Sequence, residues 1–383
     1  MKKTTKTLTA LLTAALLAVS AGCAGNTQTT TTTATTPAPA ATTEDTEAPE
    51  NEQPEETAGT MLDVDAESGE TQTTEPEPDT VIGEATDEVR IAALKGPTAM
   101  GMVQLIDNSM TDETSLYTCT IYAAPDELTP LIIKGEVDVA CIPANLASVL
   151  YNKTEGAIET IGINTLGVLY IVENGTENVN SIADLKGKTV YASGQGSTPE
   201  YALKYLLTQN GIDPETDVTI EWKSEHAECL TAITGEQGGI AMLPQPFVTT
   251  AMMKTEGIRI ALDLTKEWDA LGNGSAMLTG VTIARKEFID AYPDVLAQFL
   301  ADYKASVDFV TSDTDAAAAL IGKEEINIIP EAVAKKALPA CNIVLITGNE
   351  MKDKLSGYLN VLFDADAKSV GGKLPGEDFY YVG

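Results

Sequence analysis

Basic residues are scarce: 24 Lys and Arg stand against 57 Asp and Glu, a formal net charge of -33 over 383 residues. The first segment carries +3, residues 23–87 carry -16 and the remainder -20. Nothing beyond the first segment supplies a basic face for nucleic acid or anionic headgroups, so any anionic ligand must be gripped by local geometry. Histidine occurs once, as His226, which removes any paired-histidine metal motif. Nucleophile-elbow and dinucleotide fingerprints are also missing, and the reading is of a non-enzyme without cofactor or metal. Of five cysteines, Cys119, Cys141, Cys229 and Cys341 lie far apart with no pair two residues from each other, which argues against zinc. Each sits in an apolar stretch where a free thiol and a disulfide are equally expected, and four cysteines allow three pairings.

Long hydrophobic runs are absent too. The longest apolar stretch, in the first 22 residues, is about 15 residues, too short for a relaxed span of a ~30 Å hydrocarbon core. Lys2, Lys3 and Lys6 precede it and Ser20, Ala21, Gly22 and Cys23 close it. That is the pattern of a signal peptide over residues 1–22. The closing residues resemble a bacterial lipobox, with Ser20 where Leu is usual, which implies lipidation at Cys23. Residues 23–87 are Thr, Pro and Glu-rich, with no Lys or Arg from 26 onward, too polar to bury a core. They are expected to act as an extended, disordered tether.

Residues 88–383 have ordinary aliphatic content and enough length for two lobes. A strand is predicted over 89–94, broken by Gly96 and Pro97, with Thr98 capping a helix to 108. Strands at 117–123 and 137–142 alternate with helices at 126–134 and 145–151. The grammar resumes after an apolar stretch at 167–172, with a strand at 189–192. Gly194, Gly196, Thr198 as N-cap and Pro199 then open the clearest helix in the chain. Strands at 218–222 and 240–243, helices at 225–234 and 246–254, and a return stretch at 275–284 follow. From 286 onward the pattern is helical. Such alternation predicts an α/β class with parallel sheet. Lobe 1 is expected over about 88–172 plus 276–383 and lobe 2 over about 173–275, with a hinge and an interlobe cleft.

Several phrases carry a family resemblance: Lys95-Gly96-Pro97-Thr98, Gly135-Glu136-Val137-Asp138-Val139-Ala140, Asp184-Leu185-Lys186-Gly187-Lys188 before the 194–198 loop, and Arg285-Lys286-Glu287-Phe288 leading to Tyr292-Pro293. From about Val89 onward the chain resembles the periplasmic-binding-protein type II fold, in the branch of nitrate, taurine, sulfonate and thiamine-precursor binding proteins. The resemblance implies the solute-capturing lipoprotein of an ABC importer. Its partners would be a small solute and a membrane permease, and it would be a monomer held by lipid on the outer face of a cell membrane, in a Gram-positive-type envelope. It also admits a binder of a pyrimidine or thiamine precursor, a ligand-sensing subunit, or an enzyme of the pyrimidine-precursor synthase type. The leader and the scattered cysteines disfavour the enzyme.

Within such a cleft the site falls where strand carboxyl ends meet helix N-termini, whose N–H groups are unpaired and partially positive. Four loops qualify. The expected ligand residues are Lys95, Pro97 and Thr98 in the first, Asn145 in the second, Gly196, Ser197 and Thr198 in the third, and Gln245 in the fourth. Lys95 would pair with an acid group, and the 194–198 loop offers backbone donors to an anion. Trp222 and Trp268 would either stack on a heterocycle or sit part-buried in lobe 2. His226 is expected to be exposed or to cap its helix.

Overall fold

The computed structural model describes residues 88–383 apart from 236. The leader, Cys23 and the tether lie outside the described residues. Eleven strands occur among these: β1 (Val89–Leu94), β2 (Tyr117–Tyr122), β3 (Val139–Pro143), β4 (Ile158–Leu166), β5 (Leu169–Asn174), β6 (Thr189–Ser193), β7 (Thr219–Lys223), β8 (Ile240–Pro244), β9 (Ile258–Asp263), β10 (Leu278–Arg285) and β11 (Ile343–Ile346).

They form two sheets, ordered β11-β4-β10-β3-β1-β2 and β7-β6-β8-β5-β9. Setting β11 aside, both follow one plan. Three parallel strands run second-first-third, an antiparallel strand arriving from the other lobe comes next, and a further strand closes the row. That arriving strand is β10 in the first sheet and β5 in the second, so the chain crosses between lobes twice. The α/β class holds, with two-lobed architecture, but each sheet is mixed rather than purely parallel.

Several boundaries differ from the sequence reading. β5 belongs to the second sheet from Leu169, so the first crossing falls at Gly167 and Val168, earlier than the expected 172. The helix expected over 98–108 is two pieces, Pro97–Met100 and Val103–Thr111. Gly101 lies between them, where a Cβ would come 2.9 Å from Ile343 Cγ2. The helical tail contains β11, which pairs antiparallel with β4. β4, the last strand of lobe 1 before the first crossing, and β9, the last strand of lobe 2, carry no strand in the sequence reading. β4 is buried on both faces over most of its length and so has no alternating pattern to read.

The core lies in three layers. One face of the first sheet packs Met100, Phe299 and Tyr303, and one face of the second packs Val172, Leu243 and Val248. The remaining faces of both sheets share a single cluster that includes Ile142, Leu203, Trp268, Tyr358 and Phe379. One flank of the molecule therefore has apolar packing continuous from lobe to lobe. Cys119, Cys141, Cys229 and Cys341 are free thiols. Burial pushes Cys119 and Cys341 up to about 12, so neither is a thiolate at neutral pH. No helix among the described residues is long and apolar enough to cross a membrane.

Candidate functional site

The carboxyl ends of β1, β3, β6 and β8 lead into helices Pro97–Met100, Ala144–Lys153, Thr198–Gln209 and Phe247–Lys254. At all four starts the capping residue makes no side-chain hydrogen bond to the first turn. By contrast, Asp263 and Asp313 do cap helices Leu264–Ala270 and Thr314–Ile321. An uncapped first turn keeps donors and a partial positive charge available to an incoming acceptor; in the fourth helix, however, Gln245 Oε1 from just before the cap already takes Thr249 N at 3.3 Å.

In lobe 1, Lys95 is exposed and makes no ion pair among the described residues. Gly96 has φ 132°, which turns the chain sharply into the helix, and Pro97 occupies its first position, where no N–H is lost. Thr98 is not the cap; its hydroxyl donates back to Leu94 O at 2.6 Å. Its methyl overlies β10 at Gly280, where a Cβ would stand 3.0 Å from Thr98 Cγ2 and 2.4 Å from Asn164 Oδ1. Asn145 does not cap its helix either. It is fully buried, its Nδ2 donates to Ser369 O at 3.0 Å, and its Oδ1 accepts from Thr198 Oγ1 at 3.2 Å. That last bond joins lobe 1 to lobe 2.

In lobe 2, the cap of the Thr198–Gln209 helix is Ser197 rather than Thr198. The loop's donors are already engaged. Gly196 N donates to Glu200 Oε2 at 2.6 Å, and Ser197 Oγ donates to Gly194 O at 2.8 Å. The Glu200 carboxylate, also held by Lys204 Nζ at 2.9 Å, thus fills the place an anion would take in this glycine loop. Gln245 is buried, its Oε1 accepts from Thr249 Oγ1 at 2.9 Å and Thr249 N at 3.3 Å, and its Nε2 finds no acceptor among the described residues.

His226 is the residue sequence reasoning misplaced. Glu225 precedes it as cap, and the half-buried ring pairs through Nδ1 with the Ser193 hydroxyl and lies 4.9 Å from the Phe247 ring. Ser193, His226 and Phe247 follow or end β6, β7 and β8, so they share the edge that carries the lobe-2 loops. The signal was positional: a polar residue at a helix start just beyond a strand's carboxyl end, as in the four loops chosen. Burial pushes the imidazole down to about 4. We expect the ring carbon resonances of this only histidine to hold still from pH 8 to 5.5 and to move only near pH 4. Because the folded value lies below the unfolded ~6.5, the contribution to stability is complete above pH 6.5 and erodes as pH falls toward 4. An NMR midpoint near 6.5 would contradict the half-buried, serine-paired ring.

The tryptophans do not line these loops. Trp268 is fully buried, its Nε1 donating to Ser275 Oγ at 3.1 Å, and Trp222 is half-buried at the end of β7. Two recesses lie away from the predicted residues. One, of about 330 Å³, sits beside Tyr117 and Asp302; the other, of about 730 Å³, separates Tyr201 and Tyr205 from Val361 and Asp366.

No curated protein sequence matches the chain. Solved structures do. An ABC transporter protein from Parabacteroides distasonis superposes with TM-score 0.64 at 22% identity, covering 77% of this chain and 99% of that one. The periplasmic aliphatic sulphonate binding protein SsuA from Escherichia coli gives 0.61 at 16%, covering 76% and 92%. The periplasmic nitrate-binding protein NrtA from Synechocystis PCC 6803 gives 0.51 at 12%, covering 65% and 69%. At such identities the likeness is one of fold. A family model described as ABC transporter, phosphonate, periplasmic substrate-binding protein matches residues 110–319, a span holding the Asn145, 194–198, His226 and Gln245 positions. Since that span exceeds half of the 383 residues, the chain belongs to this family of ABC-transporter substrate-binding proteins.

Proposed function

We propose that the protein captures a small oxyanionic solute between its lobes and delivers it to an ABC permease. The solute class is a phosphonate, sulfonate, carboxylate or nitrate-like anion. The observation that carries this reading is the meeting of uncapped helix starts from both lobes at the Asn145–Thr198 contact. With -20 on residues 88–383, the long-range field repels anions, so short-range donors must do the holding. Those still free are the Lys95 amine, the Thr98 and Ala99 N–H groups, Gln245 Nε2 and His226 Nε2. Because Glu200 and Gly194 engage the Gly196 and Ser197 donors, the acid group is assigned to the Lys95–Thr98 side and the rest of the solute to His226 and Phe247. A heterocycle binder would lack a tryptophan platform, and free, dispersed thiols do not favour the synthase reading.

The same proposal places the protein outside the cytoplasm, anchored through lipid on Cys23, acting as a monomer without cofactor, catalysis or nucleic acid. A thermal-shift screen of the mature chain with methylphosphonate, taurine, acetate, nitrate and a pyrimidine tests the solute class. A true ligand at a hundredfold its Kd adds about 2.7 kcal/mol, visible as a rise of several degrees in Tm. A rise with none of the four anions would refute the oxyanion assignment.

A further inference from the structure

The larger of the two recesses, of about 730 Å³, contains none of the residues assigned to the solute. One wall is a single face of helix Thr198–Gln209, where Tyr201, Tyr205 and Thr208 recur at helical spacing. The other is the last turn of helix Gly348–Ala365, with Val361 and Asp364, continued by Asp366. Thr208 lies about 15 Å along its helix from Thr198, so the recess stands away from the solute loops.

Its lining is both aromatic and acidic. Tyr205 is a fixed wall: its ring rests 4.8 Å from the Trp268 ring, and its hydroxyl accepts from Asn273 Nδ2 at 3.2 Å. Tyr201 is half-buried one turn before it. The cation of the lining, Lys204, is already held by Glu200 and Glu215, at 2.9 Å from each. Asp364 is exposed and makes no ion pair among the described residues, and the Asp366 carboxylate accepts the backbone N–H of Lys368 at 2.9 Å. Four carboxylates thus stand around one ammonium, and two of them have no cation. Burial raises the Tyr201 hydroxyl above its ordinary value and the Glu200 and Asp366 carboxylates raise it further, so negative potential reaches this ring.

That chemistry selects its occupant. An anion is repelled, both here and by the -20 carried on residues 88–383. A metal ion needs several oxygens converging within about 2.6 Å, and no group of three or more His, Cys, Asp or Glu suited to one occurs among the described residues. An organic ammonium fits, because its alkyl groups pack on aromatic faces while its charge is drawn to ring and carboxylate alike. The volume is that of a small-molecule site. We propose that this recess is a second ligand site, for a small organic cation, with the ammonium group held between the Tyr201 and Tyr205 rings and the Asp364 and Asp366 carboxylates. The site rests on this recess alone and not on the oxyanion reading.

The test titrates the mature chain with choline, followed by broadening of its methyl resonance, and with 3,3-dimethylbutanol, the uncharged molecule of the same shape. Choline should bind saturably and the alcohol about tenfold more weakly. Asp364→Asn combined with Asp366→Asn should weaken choline about fivefold to tenfold. Tyr201→Leu should weaken it about threefold to tenfold, whereas Tyr201→Phe, which keeps the ring, should match the parent. Calcium chloride should compete no better than sodium chloride at equal ionic strength. Absence of saturable choline binding, equal binding of the alcohol, preferential displacement by calcium, or unchanged affinity in either the double variant or Tyr201→Leu overturns the site. No oxyanion is added, so none of these results depends on the thermal-shift screen.

Discussion

Asp138→Ala is expected to cost about 3–5 kcal/mol of unfolding free energy, the usual penalty for removing one partner of a buried ion pair. The carboxylate is 5% exposed and tied on every side. Arg90 donates from Nε at 2.9 Å and Nη2 at 2.8 Å, its backbone N adds a bond at 2.9 Å, and Arg285 Nη2 donates at 2.7 Å. Arg90 is on β1, Asp138 immediately precedes β3 and Arg285 ends β10, so one side chain clamps the three central strands of the first sheet, including the strand returning from lobe 2. Burial pushes the Asp138 carboxyl up, and hydrogen bonds from Arg90 and Arg285 outweigh it to leave the group below the usual carboxylate range. The folded value lies below the unfolded one, so the stabilisation is complete above about pH 4 and lost as pH falls through the folded value. Urea unfolding at pH 7 and pH 3 should therefore show a large gap between parent and variant that narrows in acid. The cluster sits at the strand ends opposite the proposed site, so solute affinity should be unchanged. A loss under 1 kcal/mol at pH 7 would refute the clamp.

Trp268→Ala should cost a similar ~3–5 kcal/mol, the transfer and cavity cost of emptying a large buried aromatic site. The effect should exceed simple destabilisation because the ring belongs to the packing that joins the lobes. We expect a single denaturant transition in the parent and two in the variant, as the lobes begin to unfold separately. Trp268→Phe, which keeps an aromatic body but loses the bond to Ser275, should cost less and retain one transition. One cooperative transition in Trp268→Ala, shifted by less than 1 kcal/mol, would show that the lobes are coupled elsewhere.

Much of the fold was legible because its signals are local. Gly194, Gly196 and Pro199 mark a helix start, and all three lie where such residues are needed: both glycines have positive φ, and Pro199 sits in the helix's first turn. Strands β1, β2, β6 and β8 alternate with helices as read, and the four loops chosen do stand at strand carboxyl ends. β4, β9 and β11 were missed because each is a partner for strands remote in sequence, and short apolar runs do not announce their pairing. The candidate site was legible as a set of loops and less so as a set of side chains. Ser197 and Thr198 read as solute donors, whereas the fold turns them to Gly194 O and Asn145 and sets the Glu200 carboxylate in the glycine loop.

Composition and pattern alone therefore determined the α/β class, the alternation of strand and helix, the excess of negative charge and the absence of metal and nucleophile motifs, all properties that each short stretch carries by itself. Only the tertiary structure decided the rest. It left four thiols free, buried Trp268 between the lobes, locked His226 against Ser193 and spent the loop donors internally. The reason is physical: whether a donor is free or satisfied depends on which distant atom comes within about 3 Å, and that distance is settled by how two sheets pack, not by the residues on either side of it.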